Sequence, residues 1–184
     1  MTILSRLSPL LIVLALLILA MLGLFGGDRE KALQSPMVGQ KIAFFDLPTL
    51  TSYHTRFNPD LWLGRVAVIN IFASWCEPCA VEQPALMKLA ATGKVAIYGV
   101  AWKDKEDNVV QWLAKRGNPY QTVGLDQAGK STIAFGLSGV PETYVIAPDG
   151  TVTYNYHAPL TDEVVTRDIL PLVERLRTSH VVPQ

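Results

Sequence analysis

The chain has 184 residues, and its 16 Lys plus Arg balance 16 Asp plus Glu to a formal charge of zero. No basic run and no basic stripe interleaved with aromatics is present, so no nucleic-acid partner is expected. There are two cysteines, three positions apart, and three histidines, at His54, His157 and His180; a secreted fold held together by disulfides would carry more cysteines at wider spacing.

The first element is apolar. Residues 10–25 (LLIVLALLILAMLGLF) are unbroken, and counting from Leu7 gives 19 residues. As a helix such a run reaches about 28 Å, close to a bilayer core of about 30 Å. A signal anchor over residues 1–27 is the expected reading. A cleaved signal peptide has a shorter apolar region, usually about 7–15 residues, and small residues at −3 and −1. No position after Ala20 offers that spacing. Residues 28–37 read as a polar linker, 38–178 as one domain, and 179–184 as a tail.

Within the domain, residues 65–72 (RVAVINIF) form an apolar, β-branched run without alternation, which suits a central strand covered on both faces. Residues 81–90 follow with helical spacing that resumes after Pro84. Residues 94–102 (KVAIYGVAW) read as a second buried strand. Residues 106–116 are amphipathic and end at Gly117, a helix C-cap. Residues 122–126 read as a short strand. Residues 142–147 and 151–157 are strands around Pro148-Asp149-Gly150, a hairpin turn. Residues 162–177 close the domain as a helix. The order β-α-β-α-β-α-β-β-α predicts an α/β sheet with helices on both faces, mixed because of the terminal hairpin. Trp62, Trp102 and Trp112 read as packing. The charge run 103–107 reads as a solvated loop or helix start, and His157 as a solvated strand end.

The chemistry concentrates in Trp75-Cys76-Glu77-Pro78-Cys79. Cys76 falls just after a buried strand and at the first turn of a helix, where unpaired N–H groups stabilise a thiolate. Two intervening residues let Cys79 reach Cys76 and close a disulfide. The expected division is that Cys76 attacks and Cys79 resolves the mixed disulfide, while Pro78 restricts the loop and Trp75 shields one side. Two other readings stand beside this one. A zinc site wants four ligands, whereas only one cysteine pair is present; a copper-binding assembly module on the same fold would recruit His54 or His157. A structural disulfide closing so short a loop gains little chain-entropy stabilisation.

Phe72-Ala73-Ser74-Trp75-Cys76-Glu77-Pro78-Cys79 resembles the active site of membrane-tethered, thioredoxin-like reductases of cytochrome c maturation. Gly139-Val140-Pro141-Glu142-Thr143 looks like the GVPET segment of the CcmG/DsbE thiol–disulfide interchange proteins, and Gly117-Asn118-Pro119-Tyr120 resembles a GNPY element of that family. The resemblance spans residues 38–172 and implies a thioredoxin-like fold. It implies that Pro141 is a cis-proline facing the disulfide, presenting the Val140 backbone for strand-like pairing with a substrate. Glu82 and Glu142 match family acids near the site, where a carboxylate disfavours a thiolate and can relay a proton. Read plainly, Glu82 is a solvated helix residue and Glu142 a strand-end charge.

The implied function is reduction of protein disulfides, either the haem-site cysteines of apocytochrome c or those of a maturation partner. A transmembrane thiol reductase would supply the electrons, and no cofactor is required. The implied location is the bacterial inner membrane, single-pass, with the domain on the periplasmic side. Two departures are visible. Gln83 stands where many relatives carry His, and residues 39–44 lack the proline usual at the domain entry. Glu77-Pro78 between the cysteines is also seen in Gram-positive haem-protein reductases of the ResA/TlpA type. A general anchored disulfide reductase without a cytochrome link differs from this reading only in substrate.

Overall fold

Six consecutive buried residues make up strand β1, Ala67–Phe72, which explains why this run lacks the alternation of a half-exposed strand. β1 is the middle of a five-stranded sheet. The computed structural model describes residues 36–179 together with Ile12 and Leu14. Apart from Ile12 and Leu14, the apolar run expected as an anchor lies outside the described residues, as do most of the linker and residues 180–184. Among the described residues no helix is long and apolar enough to cross a membrane.

The remaining strands are β2 (Ala96–Trp102), β3 (Thr122–Asp126), β4 (Glu142–Ile146) and β5 (Val152–Tyr156). Their order is β3-β2-β1-β4-β5. β1 runs parallel to β2, and β2 parallel to β3; β4 is antiparallel to both β1 and β5. The sheet is therefore mixed, as the alternation and the final hairpin predict. The strands begin later than the apolar runs suggest because turn hydrogen bonds claim the first residues: the Arg65 N–H bonds the Trp62 carbonyl.

Helix α1 (Glu77–Ala91) follows β1, α2 (Glu106–Arg116) follows β2, and α3 (Ser131–Phe135) follows β3. α1 starts four residues before the helical spacing becomes legible at Val81, because its N-cap is Cys76 itself rather than Ser, Thr, Asp or Asn. The closing helix is not uniform. A short turn α4 (Asp162–Val164), capped by Thr161, passes into π-helical residues Val165–Ile169 and then α5 (Leu170–Ser179). The wide turns sit just before Pro171, which has no N–H to continue the α-helical ladder.

Each face of the sheet carries its own core. On one, Val68, Phe72, Ile97 and Val123 pack with Leu86 and Leu89 of α1, Val109 and Leu113 of α2, and Ile169 and Val173 of the closing helix. Cys76 and Cys79 belong to this cluster. On the other, Ile69, Ile71, Val100 and Tyr144 pack with Phe135 of α3 and with Phe45, Leu47, Phe57 and Trp62. The last four come from the segment before β1, which has no strand or helix periodicity; reciprocal Leu47 and Phe57 N–H···O=C bonds hold it. Trp62 is buried as packing, in line with the sequence reading.

The backbone approaches closely behind the cysteine loop. A Cβ on Gly99 would meet Tyr120 Cγ at 2.9 Å and Phe72 Cε1 at 3.0 Å, and those two rings stack at 4.9 Å. Gly99→Ala is expected to cost about 1–3 kcal/mol of stability through this overpacking. A urea melt checks it, and an unchanged midpoint would contradict the packing described.

Candidate active site

β1 delivers the chain to Phe72, and the Cys76 N–H closes the next turn onto the Ala73 carbonyl at 3.2 Å. Cys76 and Cys79 are joined by a disulfide with a Cα–Cα distance of 5.3 Å. The Cys76 Sγ also accepts the Cys79 N–H at 3.1 Å, so this sulfur occupies the place of a capping oxygen at the start of α1. A thiolate there keeps the helix N-terminus as its electrostatic partner. Cys76 is 4 % exposed and Cys79 0 %, so both are buried and only Cys76 keeps a sliver of accessible surface. Glu77 and Pro78 are exposed between them.

The loop before the cysteines is tied to the loop after β2. Trp75 is 57 % exposed, its indole N–H donates to the Lys103 carbonyl at 3.3 Å, and its ring lies 6.1 Å from that of Trp102. The Asp104 carboxylate accepts the Ser74 N–H at 2.5 Å and the Lys105 N–H at 2.8 Å. Asp104 is buried, which corrects the reading of 103–107 as a solvated charge run: one member of the run faces inward and fixes the turn that carries Trp75.

Behind the disulfide, Glu82 lies three residues after Cys79 on the same face of α1. It is fully buried, not solvated. Asn70 Nδ2 donates to one carboxylate oxygen at 2.8 Å, and the Leu160 N–H donates to the other at 3.0 Å. Burial dominates these two bonds and pushes the Glu82 pKa up to about 7. A carboxyl that titrates near neutrality can take up or release a proton where the reaction runs.

The second carboxylate adjoins the turn into β4. The Val140–Pro141 peptide bond is cis, as the family resemblance implies. Glu142 pairs in register with Ile71, so Pro141 falls beside the strand end from which the cysteine loop departs. Val140 packs against the cluster that contains both cysteines. Glu142 is buried, and Oε1 accepts the Ser138 N–H at 2.8 Å, the Ser138 hydroxyl at 2.7 Å and the Gly139 N–H at 3.1 Å. Tyr144 donates its hydroxyl to Oε2, and His157 Nδ1 lies 3.1 Å from Oε1. Burial alone would raise this carboxyl, but the bonds from Tyr144 and Ser138 and the His157 ring outweigh it and hold the pKa below the ordinary range. Glu142 is thus no solvated strand-end charge: it staples the loop that precedes the cis-proline. His157, read as a solvated strand end, is half-buried as its partner. Glu142→Ala would remove the acceptor of the buried Tyr144 hydroxyl and of the more accessible Ser138 and Gly139 donors, at a cost of about 1–3 kcal/mol near neutral pH. Because the Glu142 pKa is depressed, the wild-type advantage is present above its unfolded value and shrinks as pH falls. Urea midpoints at pH 7 and pH 4 check both statements; an equal deficit at the two pH values would contradict them.

Adjacent residues of β4 thus serve opposite faces, Glu142 the loop before the cis-proline and Thr143 the network around Glu82, where its hydroxyl accepts from Asn70 at 3.1 Å. Asn70, Tyr120, Thr143, Ser138 and Asp104 carry much of this arrangement; the sequence assigns none of them a role, although Tyr120 and Thr143 stand in the family-like segments. The signal for Asn70 was present: an amide in the middle of an otherwise apolar central strand needs buried partners. Gln83 donates its side-chain N–H to the Gly117 carbonyl at 2.7 Å. His54 is exposed. Among the described residues no group of three or more His, Cys, Asp or Glu side chains is placed to hold a metal ion.

A cysteine pair closed at a helix N-cap, beside a cis-proline and on a mixed sheet of this order, defines a thioredoxin-like thiol–disulfide oxidoreductase. Residues 37–170 match the Redoxin family. The chain is 35% identical over 146 residues to the thiol:disulfide interchange protein HelX of Rhodobacter capsulatus, covering 79% of this chain and 82% of HelX. It is 39% identical over 112 residues to CycY of Rhizobium leguminosarum bv. viciae, a match that spans 61% of this chain and 60% of that protein. A crystal structure described as a thiol:disulfide interchange protein DsbE from Chlorobium tepidum superposes with a TM-score of 0.62 at 22% identity, over 79% of this chain and 98% of the other. The chain belongs to the Redoxin family, among the thiol:disulfide interchange proteins of the DsbE/CcmG type.

Proposed function

We propose that this protein is a membrane-anchored, periplasm-facing reductant of protein disulfides in cytochrome c maturation, with Cys76 as the attacking and Cys79 as the resolving thiol. The observation that carries the division of labour is the asymmetry of the pair. Cys76 is the N-cap at the helix tip and keeps the pair's only accessible area, while Cys79 is fully enclosed three residues before the buried Glu82. In the reduced protein the Cys76 thiolate attacks one sulfur of a substrate disulfide, and the other substrate sulfur leaves as a thiolate. Cys79 then attacks Cys76 Sγ, giving its proton to Glu82 and releasing the second substrate thiolate. Two electrons pass to the substrate and the 76–79 disulfide forms. A transmembrane thiol reductase restores the dithiol. Val140 offers backbone groups to the substrate strand, and Glu142 keeps that loop in place.

The apolar run at 10–25 supports the anchor, and the WCEPC and GVPET segments support the maturation role. The test is genetic. A strain lacking this protein should lose holocytochrome c and regain it with the wild-type gene but not with Cys76→Ser. A deletion strain with normal holocytochrome c would mean a general disulfide reductase instead.

A further inference from the structure

Asn70 stands where the central strand would otherwise carry Val or Ile, and it is completely buried. A buried amide in a strand is costly unless its donors and acceptor are all used. Here they are. The two Nδ2 hydrogens serve the Glu82 carboxylate and the Thr143 hydroxyl. The Tyr120 hydroxyl donates to Oδ1 at 2.7 Å.

We infer that Asn70 is a positioning residue, oriented by the Tyr120 hydroxyl, that holds the Glu82 carboxylate ready to accept a proton and ties it to the cis-proline strand. The inference rests on the reading of Glu82 as the proton acceptor for Cys79. The argument is one of polarity. An amide can face a carboxylate with its NH2 end or its oxygen end, and only the NH2 end favours the ionised acid. In the arrangement seen, the Tyr120 hydroxyl donates to the amide oxygen from the opposite side, which leaves both amide hydrogens to Glu82 and Thr143. Burial and the nearby Glu82 both push the Tyr120 hydroxyl well above its ordinary pKa, so it stays protonated and able to donate. Cys79 lies one turn earlier on the helix that carries Glu82, and Leu160 contributes a backbone N–H from the chain entering the closing helix. Thr143, the residue after Glu142, completes the link, so the strand that leaves the cis-proline is fastened to the acid behind the cysteines.

The experiment is a carboxyl ¹³C NMR titration of Glu82 in the reduced full-length protein, run in parallel with the pH profile of mixed-disulfide resolution. In Asn70→Leu the Glu82 midpoint should rise by about one pH unit, the size of one charge-assisted hydrogen bond. The midpoint of the resolution profile should rise with it. Tyr120→Phe, which keeps the ring stack with Phe72 and removes only the hydroxyl, should move both in the same direction by less, and it decides the matter alone if Asn70→Leu does not fold. An unchanged Glu82 midpoint in the folded variant overturns the inference. A Glu82 midpoint that rises while the resolution profile stays fixed supports the positioning by Asn70 and instead removes Glu82 from the proposed reaction.

Discussion

Cys79→Ser accumulates a covalent mixed disulfide between Cys76 and the substrate protein, whereas Cys76→Ser forms no adduct and loses disulfide reduction by on the order of 10³-fold or more. The asymmetry follows from where the two sulfurs sit. Cys76 caps α1 and keeps the pair's only accessible area; Cys79 is fully enclosed. A hydroxyl at position 79 cannot attack sulfur, so the adduct stops at the first step. The measurement is non-reducing electrophoresis of membranes after acid quenching, with mass spectrometry of the adduct. Equal trapping by both variants, or trapping only by Cys76→Ser, would reverse the assigned roles.

Glu82→Gln is expected to separate stability from activity. The ordinary carboxyl value of 4.5 is pushed up to about 7 in the folded protein. Between these values the folded state binds a proton that the unfolded chain has released. Stability therefore falls as pH rises through this window, and the loss is complete above about pH 7. Gln has no proton to lose. The stability of Glu82→Gln relative to wild type should grow by about 3 kcal/mol between pH 4 and pH 8. Urea unfolding of the oxidised form isolates the effect, because disulfide cysteines do not titrate. Resolution by Cys79 should slow by about 10²-fold at neutral pH, and the inflection near pH 7 should vanish. A stability difference that is flat with pH would show that Glu82 keeps its ordinary carboxyl pKa in the folded protein. An unchanged rate would show that Cys79 finds its proton acceptor elsewhere.

The parts of this design that depend on periodicity and turn chemistry were legible in the chain. β1 and β2 announce themselves as largely apolar runs without alternation, the Pro148-Asp149-Gly150 turn sets the final hairpin, and the position of Cys76 after a strand fixes the helix start. The fate of single polar residues was not legible. Glu82 has the spacing of a core residue and the chemistry of a surface one, and only the donors at Asn70 and Leu160, 12 and 78 positions away, decide between them. Glu142 reads as a strand-end charge until Ser138, Gly139, Tyr144 and His157 converge on it. Asp104 is one acid in a mixed-charge run, and nothing local says that it alone turns inward to the Ser74 N–H. The segment that carries Phe45 and Phe57 has neither helical nor strand period, yet it covers one face of the sheet. These outcomes depend on tertiary pairing, which spacing along the chain does not encode.

The direction of electron transfer is the central claim, and it depends on energies as small as about 1.4 kcal/mol for every 30 mV. Equilibrating the Cys76–Cys79 pair in a graded glutathione or dithiothreitol series measures it directly. A reduction potential near or below about −270 mV, that of thioredoxin, is the predicted result and makes the protein a donor of electrons to substrate disulfides. A potential near about −120 mV, that of a strong oxidant such as DsbA, would make it a donor of disulfides and would contradict the maturation role while leaving the fold and the cysteine pair as described.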